Sequence, residues 1–104
     1  MEKPSVNMEL REKLKVYRAL DNDCRLNILI TLSNKPNIAF NDLARETSIE
    51  KGLLAYHLGV LKDVGLVESE YKRRSKKISM FRLTAKGKRV ISELGLDKVS
   101  VNKK

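Results

Sequence analysis

The chain has 104 residues, 22 Lys and Arg against 13 Asp and Glu, and a formal net charge of +9 at pH 7. That length predicts one domain with a small core, and 41% hydrophobic with 34% charged residues excludes wholesale disorder. A single cysteine excludes an intrachain disulfide and a multi-cysteine zinc site.

Leu10, Leu14 and Tyr17 recur at helical spacing, with Val16 and Leu20 widening the stripe, and predict a helix over 8–20. Asn22 or Asp23 is the expected cap of a second helix running to about 33, whose Leu26, Ile28, Leu29, Ile30 and Leu32 make it the most buried. Asn34-Lys35-Pro36-Asn37 ends it, because the residue before a proline is pushed out of the helical region. Asn41 is expected to cap a short helix, Asp42 to Glu46, with Leu43 and Ala44 inward. Thr47-Ser48-Ile49 then makes a tight connection, and Ser48 is expected to cap a longer helix over 50–64. Leu54, Leu58 and Leu61 form that helix's core stripe, and Gly65 closes it in the left-handed conformation.

After Gly65 the period falls to about 2. Leu66, Val67, Ser69 and Tyr71 form one β-prone run, and Ile78, Met80, Phe81 and Leu83 form another. Lys72 to Lys77 joins them into an antiparallel hairpin over 66–83, and five of its six residues are basic. Thr84 is expected to cap a last helix over 85–95, with Val90, Ile91 and Leu94 on one side. Nothing here is as long as the roughly 18 apolar residues of a membrane span. The polar opening MEKPSVNMELREK lacks the apolar middle of a signal peptide, so a cytoplasmic protein is expected.

The fold class expected is mainly α with a small β-hairpin, in one domain over 1–104. Short helix, tight turn and longer helix over 42–64 make a helix-turn-helix, and a basic hairpin directly after it makes a winged one. Residues 1–70 carry 10 Lys/Arg and 11 Asp/Glu, whereas residues 71–104 carry 12 and 2. The excess charge thus belongs to the last third of the chain, and a polyanion is the expected partner.

The run Asp42 to Ile49 followed by Leu54-Ala55-Tyr56-His57-Leu58-Gly59-Val60-Leu61-Lys62-Asp63-Val64-Gly65-Leu66-Val67 resembles the winged helix-turn-helix of ArsR-like transcriptional regulators. Asp23 to Leu29 resembles the start of the family's second helix. Phe81-Arg82-Leu83-Thr84-Ala85-Lys86-Gly87 resembles the strand-to-helix junction shared with MarR-like and PadR-like regulators. The resemblance spans about 21–94. It implies a recognition helix beginning near Glu50, with Lys51, Gly52, Leu53, Ala55 and Tyr56 on the base-facing side. It also implies a homodimer on palindromic double-stranded DNA, paired through the first and last helices, here Leu10, Leu14, Tyr17, Val90, Ile91 and Leu94. Metal-sensing members carry a cysteine pair on the short helix; Phe40-Asn41-Asp42-Leu43-Ala44 has none, so neither metal nor cofactor is expected.

On that basis Lys72, Arg73, Arg74, Lys76 and Lys77 are expected on phosphates, with Arg73 or Arg74 reaching the minor groove. Lys51 suits a guanine edge, Tyr56 a phosphate or thymine methyl, and Leu53 and Ala55 only apolar contact. Gly52 would either permit close approach to the duplex or be only a weak point in the helix, costing about 1 kcal/mol. Ser48 would cap, either alone or while also donating to a phosphate, and His57 would bond a phosphate or the backbone. Arg82, Lys86, Lys88 and Arg89 extend the positive surface, and Cys24 reads as a small buried hydrophobe. An enzyme is not expected: there is no phosphate-cradling glycine loop, nucleophile elbow or suggestively paired carboxylates. The rival functions are a general DNA-coating chromatin protein and an RNA- or protein-docking winged helix.

Overall fold

Two asparagines open the first two helices. Asn7 accepts the Leu10 N–H at 2.8 Å and starts α1 (Met8–Leu20), and Asn22 accepts the Arg25 N–H at 3.0 Å and starts α2 (Asp23–Asn34). The order continues with β1 (Ile38–Ala39), α3 (Phe40–Thr47), α4 (Lys51–Asp63), β2 (Val67–Lys72), β3 (Ile78–Leu83), α5 (Ala85–Glu93) and a 3₁₀ turn (Leu96–Lys98). This computed structural model describes residues 7–72 and 78–98, with the backbone alone at Tyr71, Lys72 and Ile78.

The helix-helix-helix-helix-hairpin-helix order is the one expected from periodicity, with three differences. α3 begins at Phe40 and has no side-chain cap, so Asn41 lies inside the helix rather than before it. α5 ends at Glu93, two residues early, with Gly95 beyond it at φ +73°. The hairpin also gains an unexpected third strand. β1 pairs antiparallel with β3 (Ile38 opposite Phe81, Ala39 opposite Met80), giving a sheet in the order β1-β3-β2. The β2–β3 register runs from Val67 opposite Leu83 to Lys72 opposite Ile78.

The core gathers around α2. Ile28, Leu29 and Leu32 are fully buried with Leu43 of α3, Leu54 and Leu61 of α4, and Leu66. Burying a side chain of this size contributes roughly 1.5–3 kcal/mol. Phe81 closes the sheet side of this core, its ring centroid 6.2 Å from that of Phe40. α3 and α4 are therefore held by α2 behind them and by the sheet beside them, and their opposite faces are left to solvent.

Candidate nucleic-acid interface

The turn between α3 and α4 is built differently from its expected form. Thr47 donates its hydroxyl to the Leu43 carbonyl at 2.8 Å, and Asn27 of α2 donates to the Thr47 carbonyl at 3.2 Å. Ser48 is the left-handed residue that ends α3, at φ +58°, so it does not cap α4. The cap is Glu50, whose carboxylate accepts the Leu53 N–H at 3.1 Å. The backbone N–H groups of Gly52 and Leu53 hold that carboxyl below its ordinary range. A side chain at Gly52 would press on the Glu50 carboxylate, so the small residue first serves the cap.

α4 divides cleanly into two faces. Leu54, Leu58 and Leu61 lock it to the core, while Lys51, Gly52, Leu53, Ala55 and Tyr56 are exposed; Leu53 is 50% and Tyr56 62% accessible, large values for such side chains. His57, expected to bond a phosphate or the backbone, is buried beside another side chain instead. It is 6% accessible, and its Nδ1 lies 3.2 Å from Nη1 of Arg25 on α2. Arginine can only donate, so Nδ1 is the acceptor and a neutral ring carries its proton on Nε2. Burial, then the Arg25 charge, lowers its pKa below the ordinary 6.5. Arg25 also donates from Nε to the Ala19 carbonyl at 2.7 Å, so one guanidinium ties the end of α1 to the interior of α4. The rings of His57 and Tyr56 also meet edge-on, with centroids 5.1 Å apart. Sequence reasoning misses Arg25, because its partner lies 32 residues away. Glu50, three residues before Leu53, is legible as a cap but competes with Ser48 for that role.

Behind α4, the Thr84-Ala85-Lys86-Gly87 segment takes all three carbonyls of the helix-to-strand turn. Thr84 Oγ1 donates to Gly65 at 2.6 Å, Lys86 Nζ donates to Val64 at 2.9 Å, and Thr84 N–H donates to Leu66 at 3.0 Å. Thr84 Oγ1 also accepts the Gly87 N–H at 2.9 Å and so caps α5 as expected. At Gly87 any Cβ would run into the Leu66 carbonyl, so only glycine lets α5 approach this closely. Gly65 turns at φ +80°.

Two expected members of the positive surface are otherwise engaged. Lys86 is spent on the Val64 carbonyl, and Arg82 is bound by Glu68 at 2.7 Å and Glu70 at 2.8 Å across the sheet. Lys88 and Arg89 stay exposed. Arg73, Arg74, Lys76 and Lys77 lie outside the described residues, and Lys72 is described as backbone at the end of β2, opposite Ile78.

On α1, Leu10 (43% accessible), Leu14 (43%) and Tyr17 (53%) stand exposed, as does Leu94 (50%) after α5. Val90 is half-buried against the core. Ile91 differs from its expected place on an outer face: at 3% accessible it packs into the core of its own chain. Cys24 is half-buried, also packed against the core. Among the described residues no three His, Cys, Asp or Glu side chains gather as a metal site would require, and no helix is long and apolar enough to cross a membrane.

Residues 24–94 match the family model of the winged helix DNA-binding domain. Among solved structures, the transcriptional repressor BigR from Xylella fastidiosa is 29% identical with a TM-score of 0.67, the match covering 83% of this chain and 82% of that one. HlyU from Vibrio cholerae is 20% identical with a TM-score of 0.69, covering 85% and 92%. The homodimeric winged helix-turn-helix domain Mb0332 from Mycobacterium bovis, described as a possible ArsR-family transcriptional regulator, is 24% identical with a TM-score of 0.68. That match covers 99% of this chain and all of the other. No curated protein is similar enough in sequence to match.

Proposed function

The chain belongs to the winged helix DNA-binding domain family, whose ArsR-like regulators it resembles in fold and motif order, and we propose how this DNA-binding transcriptional regulator works. It acts as a homodimer on a palindromic site. α4 enters the major groove, and the basic hairpin over 66–83 lies on phosphates and in the adjacent minor groove. The observation that carries this reading is the division of α4 into a core face and an exposed face holding Lys51, Gly52, Leu53, Ala55 and Tyr56.

That face is poor in hydrogen-bonding groups. Lys51 is its one cation and suits guanine O6/N7, while Leu53, Ala55 and the Tyr56 ring suit thymine methyls. Readout therefore leans on apolar contact and on the shape of the duplex. Lys72, Arg73, Arg74, Lys76 and Lys77 supply affinity without sequence information. The dimer forms where Leu10, Leu14, Tyr17 and Leu94 stand exposed, and pairing would cover them.

Equilibrium titration at several salt concentrations tests the assignment. Replacing Lys72, Arg73 and Arg74 with alanine is expected to weaken binding on cognate and scrambled duplexes alike, and to flatten the salt slope by about 0.9 for each phosphate that is no longer neutralised. Lys51→Ala is expected to change preference among sites instead. An unchanged slope would remove the wing, and equal Lys51→Ala losses on both duplexes would remove its base contact. A wild-type protein binding matched and random duplexes equally would favour a DNA-coating chromatin role.

A further inference from the structure

The segment 1–70 carries no net positive charge to speak of, yet the fold concentrates three of its cations in one place. Lys15 and Arg18 of α1, Arg25 of α2, and Tyr56, Val60 and Asp63 of α4 line an open hollow of about 340 Å³ beside the recognition helix. Three cations face one carboxylate there. Along α4, Tyr56 and Asp63 are seven residues apart, about 10 Å at 1.5 Å per residue, so the one acid of the hollow is set two turns from the tyrosine.

The cations differ in how they are held. Arg25 is fixed by the Ala19 carbonyl and His57, which use its Nε and one Nη1 contact and leave it further donors. Arg18 makes no side-chain hydrogen bond or ion pair among the described residues, and Lys15 has only a loose 3.7 Å pair with Glu12 in solvent. A guanidinium already immobilised by the fold, beside a free arginine and a tyrosine hydroxyl, is suited to a tetrahedral oxyanion, because little side-chain entropy is lost on binding it.

We propose that this hollow seats a backbone phosphate of the bound duplex, gripped by Arg18 and Arg25 with the Tyr56 hydroxyl, so that α1 contacts DNA beside α4. The inference rests on the DNA-binding reading above and adds a contact that the distribution of charge along the chain conceals. It also gives Tyr56 a second role, since its ring meets His57 edge-on and stays on the exposed face while its hydroxyl would bond a phosphate. The helix proposed to pair the dimer is thereby linked to the DNA through a single side chain, because Arg18 lies one residue beyond Tyr17.

The experiment is the salt dependence of duplex binding for the wild-type protein, Arg18→Ala, Arg18→Lys and Arg11→Ala. Arg11 lies two turns earlier on the same face of α1 and outside the hollow, so its removal matches the change in net charge. Thermal melting of each variant checks that the fold is kept. The expected result is a slope reduced by about 0.9 in Arg18→Ala, restored in Arg18→Lys and unchanged in Arg11→Ala. Equal slopes for wild type and Arg18→Ala would overturn the site, as would equal reductions in Arg18→Ala and Arg11→Ala, which would mark a diffuse field instead. Should Arg18→Ala fail to fold, Arg18→Gln replaces it and is read in the same way. A wild-type protein with no salt-dependent duplex binding would overturn the underlying DNA-binding reading itself, a different result from either of these.

Discussion

α1 and α4 are both thirteen residues long and both display large apolar side chains, but they are held in opposite ways. α4 is fixed along its length: Leu54, Leu58 and Leu61 enter the core, His57 meets Arg25, and its C-terminal turn is bonded to the start of α5. α1 is buried only in its last turns, at Val16, Ala19 and Leu20, and everything before them faces solvent. The apolar residues that α4 exposes are therefore presented by a rigid support, as the proposed reading of DNA requires. Those that α1 exposes have no such support among the described residues, and the second copy proposed above would supply it.

That contrast can be broken from either side, beginning with the largest effect. Leu54→Ala empties a site with no solvent access, and chemical denaturation should show a loss of about 2–5 kcal/mol. A loss within a few tenths of a kcal/mol would mean that α4 is not clamped as described. Leu14→Glu should leave the monomer folded but raise the dimer dissociation constant about tenfold or more, or about 1.4 kcal/mol, in sedimentation equilibrium. An unchanged dimer would move the interface off α1. Thr84→Ala removes the α5 cap and the bond to the Gly65 carbonyl together, and about 1–2 kcal/mol should go with it.

The smallest effect is a pH dependence. Folding lowers the His57 pKa below 6.5, so below that value the unfolded chain binds more protons than the folded one. The His57 contribution is therefore whole above about pH 6.5 and lost as pH falls through the folded value. Urea midpoints of the wild type should decline over that window more steeply than those of His57→Gln. Parallel profiles would mean that the ring is not held neutral.

How much of the molecule is legible in the sequence depends on the distance over which each feature is decided. α1 at 8–20 follows from its own side-chain spacing, and so do the Leu54, Leu58 and Leu61 stripe, the Thr84 cap and the left-handed Gly65. β1 is not legible, because two residues carry no period and their pairing is set by β3, 43 positions later for Ile38 and Phe81. Ser48 and Glu50 each stand three residues before a backbone N–H that a cap could serve. Only the backbone path, left-handed at Ser48, decides for Glu50. Ile91 shows the same limit in the core: spacing puts it on an apolar face of α5 but does not say whether its own chain or a partner covers that face. His57 is misplaced by spacing alone because its partner comes from α2, and the cationic hollow is hidden because Lys15, Arg18 and Arg25 are interleaved with acids along the chain.

The most direct test of the central claim, that α4 reads DNA from a frame set by a dimer, is selection of bound sequences from randomised duplexes at a stated salt concentration. Enrichment of a palindrome whose half-site centres are about one helical turn, roughly 34–36 Å, apart is expected. Recovery of a single half-site, or of no preferred sequence at all, would contradict it.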